Sequence, residues 1–286
     1  MESIINIDNI TFGYNRKRGD VLSNFSLNLE KGAVYGLLGK NGTGKSTLLY
    51  LMCGLLRPQS GTASMNGIDV ALRTPATLAN TYIVPEEFEL PSVTLRDFVK
   101  LNSGFYPHFS QEMLKSCLSQ FDMPDDIHLG KLSMGQKKKA FMSFALAANT
   151  PLLLMDEPTN GFDIPSKSQM RKVIASSMTD ERTILISTHQ VRDVENLLDH
   201  VVMIDGSRLL LDRSYGEILE KLYFDELPLS EPTDGALFVQ PSLQGNSVVF
   251  PNRSGEESQI NLEVLFNAML ANPTGMQAEF NKSNNI

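Results

Sequence analysis

Apolar residues along the chain follow two strand-like patterns. The stretches IINIDNITFGY and NFSLNLEKG alternate apolar and polar positions, which predicts strands with one buried face. AVYGLLG, PLLLMDEP and TILIST are continuous apolar runs, typical of strands buried on both faces. GTASMNGIDV and HVVMIDGSRLLLD each contain a turn dipeptide, Asn66-Gly67 and Asp205-Gly206, and are predicted as hairpins.

Between these strands, the apolar residues have the spacing of helices. GKSTLLYLMCGLL is predicted as a helix that stops near Pro58, and residues 94–150 are predicted as mostly helical. One of their helices follows Ser133 and carries Phe141 and Phe144 on one side. Because buried strands alternate with helices, we predict an α/β fold with a mostly parallel sheet covered on both faces. The early antiparallel strands and the helical subdomain of residues 94–150 are insertions into that plan.

The chain changes character after Asp212. GEILEKLYFDEL reads as a helix, ALFVQPS and SVVFPN as strands, and INLEVLFNAMLA as a second helix. We therefore predict a main domain over residues 1–212 and a small α+β accessory domain over residues 213–286. Its end, NPTGMQAEFNKSNNI, is predicted as a disordered tail.

Charge and composition exclude several classes of protein. The 286 residues carry a net charge of −8, which argues against a general nucleic-acid binder, and residues 212–286 alone contain 4 basic and 11 acidic residues. Two cysteines, Cys53 and Cys117, are too few for a disulfide scaffold. The N-terminus lacks a signal-peptide pattern, and no run approaches about 18 apolar residues. If the protein works at a membrane, we expect another polypeptide to provide the membrane part.

A glycine-rich loop joins the AVYGLLG strand to the helix after it. The loop fits the pattern G-x-x-x-x-G-K-[ST], whose glycines let main-chain N–H groups surround a polyphosphate at a helix start. We expect Lys45 to reach the outer phosphates and the Ser46 hydroxyl to bind Mg²⁺. A chance match is the alternative, and the flanking strand and helix argue against it. The eight residues are Gly39, Lys40, Asn41, Gly42, Thr43, Gly44, Lys45 and Ser46.

Two carboxylates end the buried strand LLLMDE. Asp156 is predicted to hold the hydration shell of Mg²⁺, and Glu157 to polarise the water that attacks a γ-phosphate. Alone, such a pair is more often a solvated loop. The phosphate loop upstream favours the catalytic interpretation, because parallel strands deliver their ends to one edge of the sheet.

The sequence LSMGQ precedes an amphipathic helix. Ser133 and Gln136 have the spacing of a capping box, which explains both without any ligand. Gly135 has no role in a cap, but glycine at a helix start lets an anion approach main-chain N–H groups. The lysines at positions 137–139 are predicted as a solvated helix face, with attraction of ATP phosphates as the alternative.

At this point the sequence resembles the ATP-binding-cassette (ABC) ATPases over about residues 1–215. Tyr14 stands where the family stacks an aromatic ring on adenine, and residues 39–47, which end at Thr47, match its Walker A motif. LSMGQ matches the signature motif, residues 152–163 match Walker B and the D-loop that ends at Asp163, and Thr188-His189 matches the switch histidine. Singly, Tyr14 and His189 could be ordinary residues. Together the five motifs stand in the family's order.

The resemblance implies a P-loop NTPase (RecA-like) core that binds ATP and Mg²⁺ and forms a head-to-tail dimer around two ATP molecules. Ser133 and Gly135 then serve the partner's γ-phosphate, and Gln136 and Asp163 belong to the same nucleotide-binding set. His189 contacts the phosphate and orients the attacking water, so Glu157, His189 and Lys45 form the implied catalytic group.

One position departs from the family pattern. Glu86, within Ile83-Val84-Pro85-Glu86-Glu87, occupies the place where the family has glutamine. A third carboxylate beside Asp156 and Glu157 could tighten Mg²⁺ binding or raise a pKa. We predict that Glu86 joins Ser46 and Asp156 as a Mg²⁺-facing group, with a loop shift that leaves it in solvent as the alternative.

The resemblance favours the nucleotide-binding subunit of a transporter, at the cytoplasmic face of the membrane, paired with integral-membrane permease subunits on separate chains. The second ATPase protomer can be identical or related. FYPHF at positions 105–109 resembles a segment of bacterial ABC-2 type exporters, which favours export. The alternatives are a soluble ABC-type ATPase without a transport role and a phosphate-loop kinase, although a kinase leaves LSMGQ and His189 unexplained. The cargo is not predicted.

Overall fold

A computed structural model describes residues 2–15, 19–243 and 245–282. Its strands form three sheets, in the orders β2-β1-β4-β5, β10-β9-β3-β8-β7-β6 and β11-β13-β12. The strands are β1 Ser3–Phe12, β2 Leu22–Glu30, β3 Val34–Leu38, β4 Ser60–Met65, β5 Ile68–Asp69, β6 Thr81–Val84, β7 Leu152–Asp156, β8 Thr183–Thr188, β9 His200–Asp205, β10 Arg208–Ser214, β11 Leu222–Leu227, β12 Phe238–Pro241 and β13 Asn246–Pro251.

The central sheet is parallel from β9 through β3, β8 and β7 to β6, and β10 adds an antiparallel edge. Every residue of β3, β7 and β8 is buried, which is why these strands read as continuous apolar runs. The prediction of a mostly parallel sheet is confirmed. The short edge strand β6, which leads to Glu86, was not among the predicted strands.

The helices cover both faces of this sheet. Three of them, α3, α4 and α5, form the predicted helical insertion, and each begins at a Ser or Thr whose hydroxyl accepts a main-chain N–H of the first turn. The helices are α1 Lys45–Met52, α2 Pro75–Ala79, α3 Leu95–Asn102, α4 Gln111–Gln120, α5 Met134–Ala147, α6 Ile164–Ser176, α7 Tyr215–Lys221, α8 Leu262–Ala271 and α9 Pro273–Asn281.

Two hydrophobic clusters lie on opposite faces of the central sheet. One contains the inward side of the antiparallel β1-β2-β4-β5 sheet together with α1. The other contains the helical insertion and α6. Both predicted hairpins form. β4 pairs with β5 across Asn66-Gly67, as predicted, and β9 pairs with β10 across Gly206-Ser207, one residue later than the predicted turn at Asp205-Gly206. The positive φ angles of Asn66 (48°) and Gly67 (77°) explain why this dipeptide makes the turn.

The C-terminal residues pack onto the main body. Leu222, Leu262 and Leu265 are buried in the same cluster as Val201 of the central sheet, so one core spans both parts. The predicted boundary after Asp212 falls inside β10.

Two predictions for the C-terminal region were wrong. The predicted helix GEILEKLYFDEL ends at Lys221, and LYFDEL forms β11, because its alternate residues Leu222 and Phe224 face the core. The tail is not disordered at its start, since α9 covers Pro273–Asn281 and buries Met276. Residues 283–286 lie outside the described residues.

Candidate functional site

The glycine-rich loop turns tightly between β3 and α1. Gly42 and Gly44 have φ angles of 81° and 98°, a left-handed conformation that glycine adopts without strain. Gly39 has no room for a side chain, because a Cβ atom there would lie 2.7 Å from the Thr43 hydroxyl and 2.8 Å from the Ile204 carbonyl oxygen. The loop therefore needs glycine at each of these three positions.

Lys45 lies at the centre of this loop and is 6% exposed. Its Nζ donates hydrogen bonds to the carbonyl oxygens of Gly39 (2.8 Å) and Lys40 (3.1 Å). It also lies 3.6 Å from Oε1 of Glu157. A buried cation held by oxygen atoms at a helix start is suited to an incoming phosphate, which can take the place of those oxygens.

Two acidic residues stand where β7 ends. Asp156 is 1% exposed and accepts a hydrogen bond from the hydroxyl of Ser187 on the neighbouring strand β8. Glu157 has a φ angle of 44°, and its main-chain N–H donates to the Ser187 carbonyl oxygen at 3.0 Å. This left-handed turn aims the Glu157 carboxylate at the phosphate loop, and such strain in a non-glycine residue is typical of functional sites.

His189 and Glu157 are in direct contact. Nδ1 of His189 lies 2.8 Å from Oε1 of Glu157. The other carboxylate oxygen accepts the Thr188 hydroxyl at 3.1 Å and the His189 main-chain N–H at 3.3 Å. The carboxylate is thus buried, oriented by three contacts and able to act as a base toward a molecule in the cleft.

A cleft of about 370 Å³ opens above these groups. Tyr14 stands at its mouth, where it is 63% exposed and its hydroxyl lies 3.1 Å from the Thr47 hydroxyl. Thr43 faces an adjoining cleft. The predicted residues that line the main cleft are Tyr14, Asn41, Gly42, Gly44, Lys45, Ser46, Thr47, Glu86, Glu157 and His189.

Glu86 is exposed but has a specific partner. Its Oε1 accepts a hydrogen bond from Nδ2 of Asn160 at 2.7 Å. The amide oxygen of Asn160 accepts in turn from Nε2 of Gln190 at 3.0 Å. Asn160 therefore joins the loop after β6 to the loop after β8, a role that the sequence analysis did not predict. Its position in the D-loop segment was the available signal.

The signature residues lie outside the cleft of their own chain. Ser133 and Gln136 form the predicted capping box at the start of α5. A Cβ atom on Gly135 would meet only the Gly161 carbonyl oxygen, at 3.9 Å, so the helix start is open. None of these three residues is among those that line the cleft in the described part of the chain.

Asp163 is also outside the cleft. It caps α6, and its carboxylate accepts the Ser166 main-chain N–H at 2.9 Å. Hydrogen bonds from Ser166 lower the pKa of Asp163, so this carboxylate stays ionised.

The prediction that Lys137, Lys138 and Lys139 form a solvated helix face was wrong for Lys138. Lys138 is 5% exposed, and its Nζ donates to the carbonyl oxygens of Glu157 (3.1 Å) and Asn160 (2.8 Å). Burial lowers the pKa of Lys138, and the carboxylates of Glu86 and Glu157 oppose that shift.

The buried position of Lys138 could have been recognised from helical spacing. Met142 and Ala145 lie four and seven residues further along α5, and both are fully buried. Lys139, next along the helix, donates to the side-chain oxygen of Gln169 at 2.9 Å and contacts the ring of Phe121.

A second, larger cleft of about 710 Å³ lies where the helical insertion meets the central sheet. It is mostly apolar, and its exposed residues include Leu55 (54%), Leu78 (40%) and Phe105 (70%). Ile83 of β6 forms part of its wall, three residues before Glu86. Within the described residues, none of the helices has both the length and the apolar character needed to cross a bilayer.

Comparison with known proteins points in the same direction as the geometry. The family model described as "ABC transporter" matches residues 22–160. The chain is 30% identical over 241 residues to the "Zinc uptake system ATP-binding protein ZurA" of Listeria innocua, which covers 80% of this chain and 93% of the relative. It is also 30% identical over 231 residues to the "Nod factor export ATP-binding protein I" of Burkholderia orbicola, which covers 78% of this chain and 76% of the relative.

The fold itself has a close counterpart. A solved structure described as "Structure of ATP binding subunit of ABC transporter" matches with a TM-score of 0.66 and 24% identity, and covers 75% of this chain and 91% of that chain. This likeness supports the P-loop NTPase fold.

Proposed function

The chain belongs to the family of ABC transporter ATP-binding proteins, with the ATP-binding and ATPase activity of that family, and from this premise we propose how its residues perform the reaction. Hydrolysis takes place in the cleft above the phosphate loop. The observation that carries the proposal is the convergence of Lys45, Glu157 and His189 in that cleft, with Lys45 Nζ 3.6 Å and His189 Nδ1 2.8 Å from one carboxylate oxygen.

ATP binds with its phosphates in the glycine-rich loop. The main-chain N–H groups at the start of α1 and the Lys45 ammonium receive the β- and γ-phosphates. The Tyr14 ring, which is exposed at the mouth of the cleft and packs edge-on against Phe12 with centroids 5.0 Å apart, stacks on the adenine.

Magnesium accompanies the nucleotide. In the described residues no three His, Cys, Asp or Glu side chains converge as a ready-made metal site. Ser46 and Glu86 line the cleft, and Asp156 ends β7 next to Glu157, so these three residues would hold the ion through hydroxyl and carboxylate oxygens. When bound, Mg²⁺ neutralises charge on the phosphates.

Glu157 acts as the general base. Its carboxylate polarises a water molecule and accepts a proton as the water oxygen bonds to the γ-phosphorus. The bond between that phosphorus and the β,γ-bridging oxygen breaks, and ADP and phosphate leave. His189 holds the Glu157 carboxylate through Nδ1, which leaves its other ring nitrogen to orient the γ-phosphate or the water.

A second protomer completes each site. Ser133, Gly135, Gln136 and Asp163 are remote from their own cleft, so in the proposed head-to-tail dimer they act on the partner's ATP. Met134, next to Ser133, is 67% exposed, and Ile164, next to Asp163, is 84% exposed. Exposure of these apolar side chains supports contact with another chain. All catalytic groups are present in this chain, so a homodimer suffices, and a related chain could replace one copy.

Membrane subunits on separate chains dock at the larger, apolar cleft. Its occupant is a short cytoplasmic helix of such a subunit, whose apolar face covers Leu78 and Phe105 and whose acidic or carbonyl end meets Arg73. The wall formed by β6 leads to Glu86, which connects docking to the ATP cleft. A chain that docks in this way works at the cytoplasmic face of the membrane.

We propose that transport is outward. The support is the FYPHF segment, whose Phe105 and Tyr106 line the docking cleft, and the relative named for Nod factor export. Another relative is named for zinc uptake, so the direction of transport needs a direct test. Inside-out vesicles supplied with external ATP should accumulate the cargo of an exporter, whereas cargo release would indicate an importer.

The C-terminal residues have a regulatory role in this proposal. Arg192, three residues after His189, forms a 2.9 Å ion pair with Glu263 of α8. The same helix buries Val264 and Leu265 in the core of the main body. A regulator that shifts α8 would therefore act on the segment behind His189.

Copurification with the membrane protein encoded beside this chain tests the proposed function. Wild-type protein should copurify with it, and ATP turnover should rise in its presence. Leu78→Glu should abolish copurification and stimulation while basal ATPase activity persists, because docking of an apolar helix would strip water from the new charge. Leu229→Glu, at a site 64% exposed and outside the cleft, is the matched control. Copurification with ribosomes or DNA instead, or undisturbed binding by Leu78→Glu, would contradict the proposal.

A further inference from the structure

Lys138 is a buried cation that the proposed reaction does not use. Its ammonium is held by two main-chain carbonyl oxygens, those of Glu157 at 3.1 Å and Asn160 at 2.8 Å. It also lies 6.0 Å from the centre of the Phe162 ring. Because burying an ammonium is costly unless its hydrogen bonds are made, these contacts fix the position of the residues that provide them.

The first of these acceptors belongs to the proposed general base. Glu157 adopts a left-handed conformation, which a residue with a side chain adopts only when its surroundings hold it there. Its N–H is held by Ser187 of β8, and its carbonyl oxygen is held by Lys138 of α5. The direction of the Glu157 side chain therefore depends on both elements.

The second acceptor connects Lys138 to the loop network around the cleft. Asn160 uses its carbonyl oxygen for Lys138 and its side-chain amide for Glu86 and Gln190. Through these hydrogen bonds, a movement of α5 would shift the loops that carry Glu86, Glu157 and His189.

The start of α5 is the part of this helix that meets the second protomer in the proposed dimer. Lys138 follows Ser133 by five residues, little more than one helical turn. The same rigid helix thus presents its first turn to the partner's ATP and its second turn to the chain's own Glu157.

We propose that Lys138 is a positioning residue that couples engagement of the partner's nucleotide by α5 to the alignment of Glu157 in its own chain. This inference rests on the proposed function. Loss of the Lys138 ammonium should affect turnover and not nucleotide binding. The ammonium contacts the main-chain carbonyl oxygen of Glu157 and does not line the cleft.

The test compares Lys138→Met with Lys139→Met. Both changes remove an ammonium from α5, but Lys139 is bound to Gln169 and Phe121, away from the catalytic loop. We expect Lys138→Met to lower kcat roughly 10- to 100-fold, the loss expected for one charged hydrogen bond. KM for ATP and the affinity for a fluorescent ATP analogue should change less than about threefold. Lys139→Met should keep kcat within about threefold of wild type, and Lys138→Arg, which retains donors for both carbonyls, should recover part of the lost turnover.

A second measurement asks whether Lys138 acts through Glu157. In a Glu157→Gln background, Lys138→Met should lower the residual rate less than about twofold, because the base it aligns is already absent. A general loss of structure would multiply the two effects, lower the melting temperature and weaken nucleotide binding.

The outcomes separate this inference from the proposed function. Equal turnover in Lys138→Met and Lys139→Met, or multiplicative losses with Glu157→Gln, would overturn the role of Lys138 and leave the ATPase intact. A wild-type protein that neither binds nor hydrolyses ATP would instead overturn the proposed function.

Discussion

Replacement of Glu157 by glutamine changes the charge of the proposed base and little else. The amide oxygen can take the place of Oε2 and keep the hydrogen bonds from Thr188 and from the His189 main chain. The amide nitrogen then takes the place of Oε1, where it can donate to Nδ1 of His189 but no longer attracts the Lys45 ammonium. We therefore expect Glu157→Gln to fold normally and to lose its base.

Glu157→Gln should have opposite effects on kcat and on ATP affinity. Loss of a general base lowers kcat roughly 10²- to 10⁴-fold, which is about 3–5 kcal/mol in activation free energy. In the wild-type cleft Lys45 and Glu157 are 3.6 Å apart and both buried, an attraction of about 4–5 kcal/mol at an effective dielectric constant of 20. An arriving phosphate competes with that attraction in the wild type but not in the variant. ATP affinity should therefore be unchanged or tighter.

Single-turnover ATP hydrolysis and light scattering after size exclusion measure these expectations. Glu157→Gln saturated with ATP should hydrolyse at less than about one hundredth of the wild-type rate and accumulate as a dimer. Glu231→Gln, the same change at an exposed site outside the cleft, should match the wild type. A rate within tenfold of the wild type would refute Glu157 as the base. A variant that stays monomeric with ATP, both alone and with its membrane partner, would refute the shared site.

Two further predictions concern Glu86 and the C-terminal residues. Glu86→Gln keeps an acceptor for Asn160 but removes one charge, so the Mg²⁺ concentration for half-maximal ATPase should rise roughly two- to fivefold; an unchanged Mg²⁺ titration would deny Glu86 a special role. Leu265→Ala should lower the free energy of unfolding by about 2–5 kcal/mol in one cooperative urea transition, because Leu265 is fully buried in the shared core. A loss below about 1 kcal/mol, or a separate early transition, would indicate an independent C-terminal unit.

Local physics made the phosphate loop and its sheet predictable. Gly42 and Gly44 are required by the left-handed conformation of the main chain, whatever surrounds them. Gly39 is required because Thr43 and Ile204 leave no room for a side chain. The strands on either side are apolar throughout because both of their faces are covered. For the same reason the acidic end of β7 could be expected beside the loop, since parallel strands end at one edge of a sheet.

The C-terminal region was less predictable because tertiary contacts overrode local patterns. LYFDEL has residues compatible with a helix, yet Leu222 and Phe224 are spaced for a strand that packs on the main body. The residues of α9 are polar enough to suggest disorder, and burial of Met276 against the same core stabilises the helix.

The sequence by itself determined most elements of the main body and most residues of its ATP cleft, because turns, caps and strand ends depend on neighbours along the chain. Only the tertiary structure decided which carbonyl oxygens Lys138 contacts, which partner Glu86 has and which predicted residues lie outside the cleft. Those facts depend on how α5 is rotated and docked against the loops that follow β6, β7 and β8. Side chains far apart in sequence meet there, and no local pattern records their distances.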